Sequence, residues 1–216
     1  MTASPTRFCL VRHGETDWNL AARLQGHTDI PLNAAGEAQA LRLAAAMRRR
    51  QPRPAFRACY VSDLTRARQT AAPLAEALAL SLRLDSQLRE RHMGALQGLS
   101  YAEAAERLPD VYQRQQNRDP DYDLEGGESL RRFQRRVLDG FADIAGRHPG
   151  EDLLVVTHGG VLDILYRAAT AKPLSDKRDF PIPNAALNWL ALDDGQWRLE
   201  RWADQSHLEA ALDEVD

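Results

Sequence analysis

Residues 7–12 form an almost unbroken apolar run that stops at Arg12-His13-Gly14. A strand with one wet face alternates apolar and polar residues, whereas a continuous run needs cover on both faces. The run therefore predicts a strand inside a parallel sheet, with helices above and below. Residues 57–61 and 152–157 repeat the pattern, and each run leads through a polar segment into a helical stripe. Repeated strand-loop-helix units wind into an α/β sheet. The expected fold class is a three-layer α/β/α arrangement with a mostly parallel wound sheet, a C-terminal hairpin and a small, mostly helical insertion.

The helices are marked by their caps and stripes. Asn33 offers an N-cap, Glu37 follows in the first turn, and Ala40, Leu43, Ala44 and Met47 share a face. That helix runs to Arg48-Arg49-Arg50 and the breakers Pro52 and Pro54. Leu64, Ala67, Ala71, Leu74, Ala75 and Leu78 make a second stripe, and Leu130, Phe133, Val137, Leu138, Phe141 and Ile144 a third, starting at Ser129. The arginines at 131, 132, 135 and 136 read as the solvated side of the third helix, with Arg135 and Asp139 as an i,i+4 pair. Asp193-Asp194-Gly195 signals the closing hairpin. Residues 82–126 are irregular, with one helix from Ser100 to about Leu108. The simplest architecture is a single domain, 1–216, with about 85–127 inserted over the active site.

Composition excludes several functions. With 44% hydrophobic and 27% charged residues the chain has the makeup of an ordinary globular protein. A net charge of −3 argues against a nucleic-acid coat or a polybasic membrane binder, so neither nucleic acid nor membrane is an expected partner. Of the 28 basic residues all but Lys172 and Lys177 are arginines, which codon bias explains for most of them. Cys9 and Cys59 lie in apolar runs at no metal-type spacing and read as buried free thiols of a reducing compartment. Met1-Thr2-Ala3-Ser4-Pro5 has no basic-then-apolar signal pattern, and a cytoplasmic protein is expected. A homodimer is left open.

His13 and His158 occupy equivalent positions, each ending an apolar strand and preceding glycine. In wound sheets, ligands bind beyond the carboxyl ends of strands. If these two strands are neighbours, the imidazoles meet there. Gly159-Gly160 opens a helix whose N-terminus favours an anion, and Arg12 and Arg66 face the same edge. One strand-end histidine is ordinarily structural; two with two arginines point to an anion-binding catalytic site. Forked cations suit a phosphate dianion, and a neutral imidazole is a competent nucleophile toward phosphorus. A second imidazole, a protonated His158, is expected to stabilise equatorial charge and to complete a small cationic well with Arg12 and Arg66. A carboxylic acid is then needed for the leaving alkoxide.

These residues carry a resemblance. Leu10-Val11-Arg12-His13-Gly14-Glu15-Thr16 with Asn19, Gly26-His27-Thr28-Asp29-Ile30-Pro31-Leu32, and Gly36-Glu37-Ala38-Gln39-Ala40 are similar to motifs of the histidine phosphatase superfamily, in its phosphoglycerate-mutase-like branch. Ser62-Asp63-Leu64-Thr65-Arg66-Ala67-Arg68-Gln69-Thr70-Ala71, Leu88-Arg89-Glu90-Arg91, Gly126-Gly127-Glu128-Ser129 and Val156-Thr157-His158-Gly159-Gly160 continue the match in family order. The resemblance implies that His13 becomes a phosphohistidine, that Arg12, Asn19, Arg66 and His158 hold the phosphate, and that Glu90 donates the proton. Without it, Glu90 reads as a surface or ion-paired carboxylate. No metal and no organic cofactor is implied, and the implied partner is a small phosphorylated metabolite.

Residues 90–99 are close to the cofactor-dependent phosphoglycerate mutases, which have tyrosine where Met93 stands and lysine where Tyr101 stands. The acids at 119, 121, 123 and 125 would line the site poorly for a tri-anionic three-carbon acid, although Arg114 and Arg118 partly compensate. A phosphatase acting on small phosphomonoesters is the favoured reading, a 2,3-bisphosphoglycerate-dependent mutase the second. A non-catalytic phosphate-binding scaffold is the third, but it is expected to have lost His13 or Glu90.

Overall fold

The computed structural model describes residues 4–50 and 55–209. Pro52, Pro54 and the acidic end beyond Glu209 lie outside the described residues. Six strands, β1 (Thr6–Arg12), β2 (Ala58–Val61), β3 (Leu82–Leu84), β4 (Asp152–Thr157), β5 (Leu187–Asp193) and β6 (Gln196–Asp204), form one sheet in the order β3-β2-β4-β1-β5-β6. The first four in that order run parallel; β5 pairs antiparallel with β1 and closes the hairpin with β6.

The helices are α1 (Asp17–Leu20), α2 (Ala34–Arg49), α3 (Thr65–Leu78), α4 (Tyr101–Arg107), α5 (Pro109–Gln116), α6 (Leu130–Arg147) and α7 (Gly159–Thr170). Phe8, Leu10, Leu153 and Val155 pack with Phe133, Val137 and Phe141 of α6 and with Val161, Leu162 and Leu165 of α7. The alternate side chains Cys9, Val11, Leu154 and Val156 pack the other way, against Leu43 and Met47 of α2 and Ala67, Ala71 and Leu74 of α3. This period-two division between two helical layers is why the strand sequences are apolar throughout. Each fully buried Phe, Leu or Val contributes roughly 1.5–3 kcal/mol. Both cysteines are buried and free. Burial raises their thiols, that of Cys59 to about 12, so neither is a reactive thiolate.

Three local expectations change. Residues 109–116 fold as α5, with Pro109 in the first turn. Among its residues only Val111 is buried, so there is no stripe to read. One-turn α1 also escapes periodicity; its capping box pairs Thr16 with Asn19. On α6 the pair expected between Arg135 and Asp139 does not form among the described residues, and Arg136 is not merely solvated. Arg136 forks onto Glu128 at 2.7 and 2.8 Å and donates to three carbonyls of the segment at 87–90. It ties α6 to Glu128 and to the segment at 87–90.

Candidate active site

Because β1 and β4 are parallel neighbours with Arg12 opposite Thr157, the residues that follow leave the sheet side by side. The ladder extends one step, with His13 N–H donating to the Thr157 carbonyl at 2.9 Å. The two imidazoles lie with centroids 5.2 Å apart, His13 being 3% and His158 0% exposed. His13 Nδ1 is 2.7 Å from the Gly14 carbonyl, which can only accept. Nδ1 therefore carries the proton, and Nε2 is left with a lone pair. The loop is held on both sides: Gly14 N–H donates to Thr70 Oγ1 at 2.9 Å, and Asn184 Nδ2 donates to the His13 carbonyl at 2.8 Å. A Cβ on Gly14 would lie 2.5 Å from the Gly36 carbonyl oxygen, so α2 can approach the loop only because glycine faces glycine.

The cations are equally constrained. Arg66 is fully buried at the start of α3 and donates through Nη1 to Thr28 O and through Nη2 to Gly26 O, both at 2.9 Å. The 26–32 motif thus acts as a bracket for Arg66, reinforced by Asp29 capping Thr65 N–H at 2.7 Å. Arg12 Nη1 donates to Ile182 O at 2.6 Å. Arg12 Nε, Arg66 Nε and His158 Nδ1 are buried polar atoms with no partner, while His158 Nε2 meets Ser62 Oγ at 2.7 Å. An unsatisfied buried polar group costs about 1–3 kcal/mol, and a phosphoryl group bound among these three would relieve that cost.

Glu90 lies in the irregular stretch between β3 and α4. Its Oε2 accepts from Gly160 N–H at 2.9 Å, at the first turn of α7, and its Oε1 accepts from Arg91 N–H at 2.8 Å. Its carbonyl accepts from His27 Nε2 at 2.7 Å and from Arg136 Nη2 at 3.0 Å. Just before it, the Leu88 carbonyl accepts from Thr157 Oγ1 at 2.8 Å, which pins the segment to the end of β4. A Cβ on Gly160 would fall 2.0 Å from Glu90 Oε1, so the carboxylate occupies space that only glycine leaves open.

Arg12, His13, Asn19, Arg66, Glu90 and Gly159 line one pocket of about 180 Å³. His158 is not itself among the lining residues; it is fully buried with its ring centroid 5.2 Å from that of His13. Asn19 reaches the pocket from α1, where its Oδ1 also accepts from Thr16 N–H at 3.1 Å. Sequence reasoning did not assign Gln25, Arg23 or Arg178, which also line the pocket, and it named Met93 and Tyr101 only as departures from the mutases. Gln25 sits inside the 26–32 region's approach and was within reach of the motif. Arg178, in the run Asp176-Lys177-Arg178-Asp179, gives no signal beyond a solvated loop. The acids at 119, 121, 123 and 125 do not line the pocket: Asp121 pairs with Arg131 at 2.6 Å, and Asp119 and Asp123 accept from nearby backbone N–H groups. Among the described residues no group of three or more His, Cys, Asp or Glu is placed to hold a metal ion.

Residues 8–205 match the histidine phosphatase superfamily, branch 1. The chain belongs to that family. It is 41% identical over 203 residues to "Phosphoglycerate mutase-like protein 4" of Arabidopsis thaliana, covering 93% of this chain and 86% of the relative. It is 39% identical to the "Metal-independent phosphoserine phosphatase" of the same plant, covering 94% and 83%. Among solved structures, Bacillus stearothermophilus YhfR superposes with a TM-score of 0.85 at 31% identity, over 94% of this chain and 99% of that one.

In this histidine phosphatase both imidazoles titrate well below the ordinary histidine range. For His13 the causes are burial, then Arg66 and Arg12; for His158 they are burial, then Arg66, His13 and Arg12. This corrects the expectation of a protonated His158. Burial beside two guanidiniums leaves it neutral until an anion enters. Burial also pushes Arg66 down to about 10, still a cation at neutral pH. Since the protonated imidazole is the inactive form, a depressed value keeps His13 competent into acid. With p-nitrophenyl phosphate, kcat/KM corrected for substrate ionisation is expected to hold as pH falls through about 6.5 and to fail only below it. An acid limb centred at 6.5 would overturn this account. Unfolded histidines take up protons near 6.5 while these two do not, so their contribution to stability is lost as pH falls below that value.

Proposed function

We propose that the protein is a phosphomonoester hydrolase working through a phosphohistidine on His13. His13 Nε2 attacks phosphorus, the phosphorus–oxygen bond to the alcohol breaks, and Glu90 gives its proton to the departing alkoxide. Glu90, now a carboxylate, takes a proton from water, whose oxygen attacks the phosphohistidine and releases inorganic phosphate. Arg12, Arg66, Asn19, His158 and the N–H of Gly159 hold the phosphoryl oxygens. The observation that carries the reading is the His13 Nδ1 bond to Gly14 O, which leaves the Nε2 lone pair free for attack, together with two unpartnered guanidinium Nε atoms.

A mutase is the second reading, favoured by the match over residues 90–99. Against it, Met93 and Tyr101 line the pocket where mutases carry tyrosine and lysine, and Tyr101 is 45% exposed at a mouth open to water. A mutase has to keep water from its phosphoenzyme. Rapid quenching during turnover of a radiolabelled phosphomonoester tests both. An acid-labile, alkali-stable label on His13 that leaves as inorganic phosphate, even with 3-phosphoglycerate present, is expected. Transfer of the label to 3-phosphoglycerate would favour the mutase, and turnover with no label would remove the phosphohistidine.

A further inference from the structure

The catalytic pocket, at about 180 Å³, is smaller than the roughly 300–1,000 Å³ of ordinary ligand sites. It does not end there. A groove of about 530 Å³ adjoins it and shares two of its walls, Tyr101 and Arg178. The groove is completed by Tyr112, Gln115 and Gln116 on α5, by Arg118, and by Lys177.

Its charges are not equivalent. Arg118 is consumed internally, donating to Asp163 Oδ2 and to Leu174 O, each at 2.7 Å. Lys177 and Arg178 are exposed and have no ion-pair or hydrogen-bond partner among the described residues. The loop that carries them is nonetheless anchored. Lys172 pairs with Asp179 at 2.8 Å, Arg167 donates to Asp176 O at 2.9 Å, and Phe180 stacks on Tyr166 with centroids 3.7 Å apart. Two unpaired cations are therefore held at the outer rim, and Arg178 is close enough to Arg12 to disfavour its charge. Exposed to solvent and unpaired, the two side chains are free to meet an anion in the groove. The phosphoryl group meets Arg12 and Arg66 inside, which leaves the outer pair for a second anionic group. The phenol rings and side-chain amides that also line the groove suit a hydroxyl-bearing body between the two ends.

We propose that this groove is the distal half of the substrate site, taking phosphomonoesters of hydroxylated acids longer than three carbons, with a distal carboxylate or phosphate on Lys177 and Arg178. The inference rests on the phosphatase reading and names its substrate class.

6-Phosphogluconate and sorbitol 6-phosphate share a six-carbon hydroxylated chain and differ at the far end, carboxylate against alcohol. The wild type is expected to favour the acid by about tenfold in kcat/KM, chiefly through KM, as one charge-assisted contact supplies. In Lys177→Ala/Arg178→Ala the ratio falls toward one, and in Arg178→Glu it drops below one. Because each ratio compares two substrates on the same protein, a general loss of activity cancels. Both side chains are exposed, and an unchanged melting temperature checks folding. His13-dependent turnover of p-nitrophenyl phosphate with a wild-type ratio near one, a ratio unmoved by the substitutions, or turnover of neither sugar phosphate overturns the distal site alone. Absence of p-nitrophenyl phosphate turnover overturns the phosphatase reading beneath it.

Discussion

His13→Ala is expected to reduce turnover of every phosphomonoester by about 10⁴-fold or more and to abolish covalent labelling of the protein. No neighbour can take over the role. His158 is the nearest imidazole, 5.2 Å away centroid to centroid, but its Nε2 is committed to Ser62 at 2.7 Å and the ring is fully buried. The loss is one of chemistry rather than folding. The bonds that shape the loop are made by backbone groups: His13 N–H to Thr157 O, Gly14 N–H to Thr70, and Asn184 to the His13 carbonyl. All three survive truncation of the side chain. A core cavity costing about 1–2 kcal/mol would lower the melting temperature by only about 2–8 °C in a chain of this size. Turnover of p-nitrophenyl phosphate by wild type and variant, with a thermal melt of each, reads both effects. Equal rates would remove His13 as the nucleophile.

The parts of the site that were legible in the sequence are those delivered by regular structure. The uninterrupted run before His13 implied a central parallel strand, and a second such run before His158 implied a matching strand end. Parallel pairing of β1 with β4 then brings the two histidines together without any help from loops. Arg66 was legible as a residue off its helix's stripe, although its bracket, the carbonyls of Gly26 and Thr28, was not. Glu90 was illegible because, apart from the adjacent Arg91 N–H, the groups that position it are remote in the chain: Gly160 at a separation of 70 residues, His27 at 63 and Arg136 at 46. No periodicity encodes such contacts, and only the family resemblance singled this carboxylate out. Arg178 fails for the same reason. The charge of His158 was misread on different grounds, since burial against two guanidiniums is a property of the assembled layers.

Glu90→Gln is expected to separate the two chemical steps. The substitution is nearly isosteric, and the side-chain carbonyl can still accept from Gly160 N–H, although the amide NH2 cannot accept from Arg91 N–H and that one bond is lost. The amide cannot deliver a proton. For alkyl phosphomonoesters such as glycerol 2-phosphate, whose alkoxide is a poor leaving group, formation of the phosphohistidine should slow by about 10²–10⁴-fold, with little phosphoenzyme present at steady state. p-Nitrophenolate leaves without protonation, so with that substrate the first step proceeds. The second step still lacks its base. A burst of one equivalent of p-nitrophenol, followed by slow turnover and accumulated phosphoenzyme, is the expected record. Gly160→Ala should reproduce this pattern without touching Glu90, because its Cβ would lie 2.0 Å from Oε1 and drive the carboxylate away. Alanine is a better helix former than glycine by about 1 kcal/mol, which offsets part of the strain where the same Cβ would lie 3.0 Å from Phe133 Cε1. Equal slowing of both substrates in Glu90→Gln, with no burst and no accumulated phosphoenzyme, would place the proton donor elsewhere.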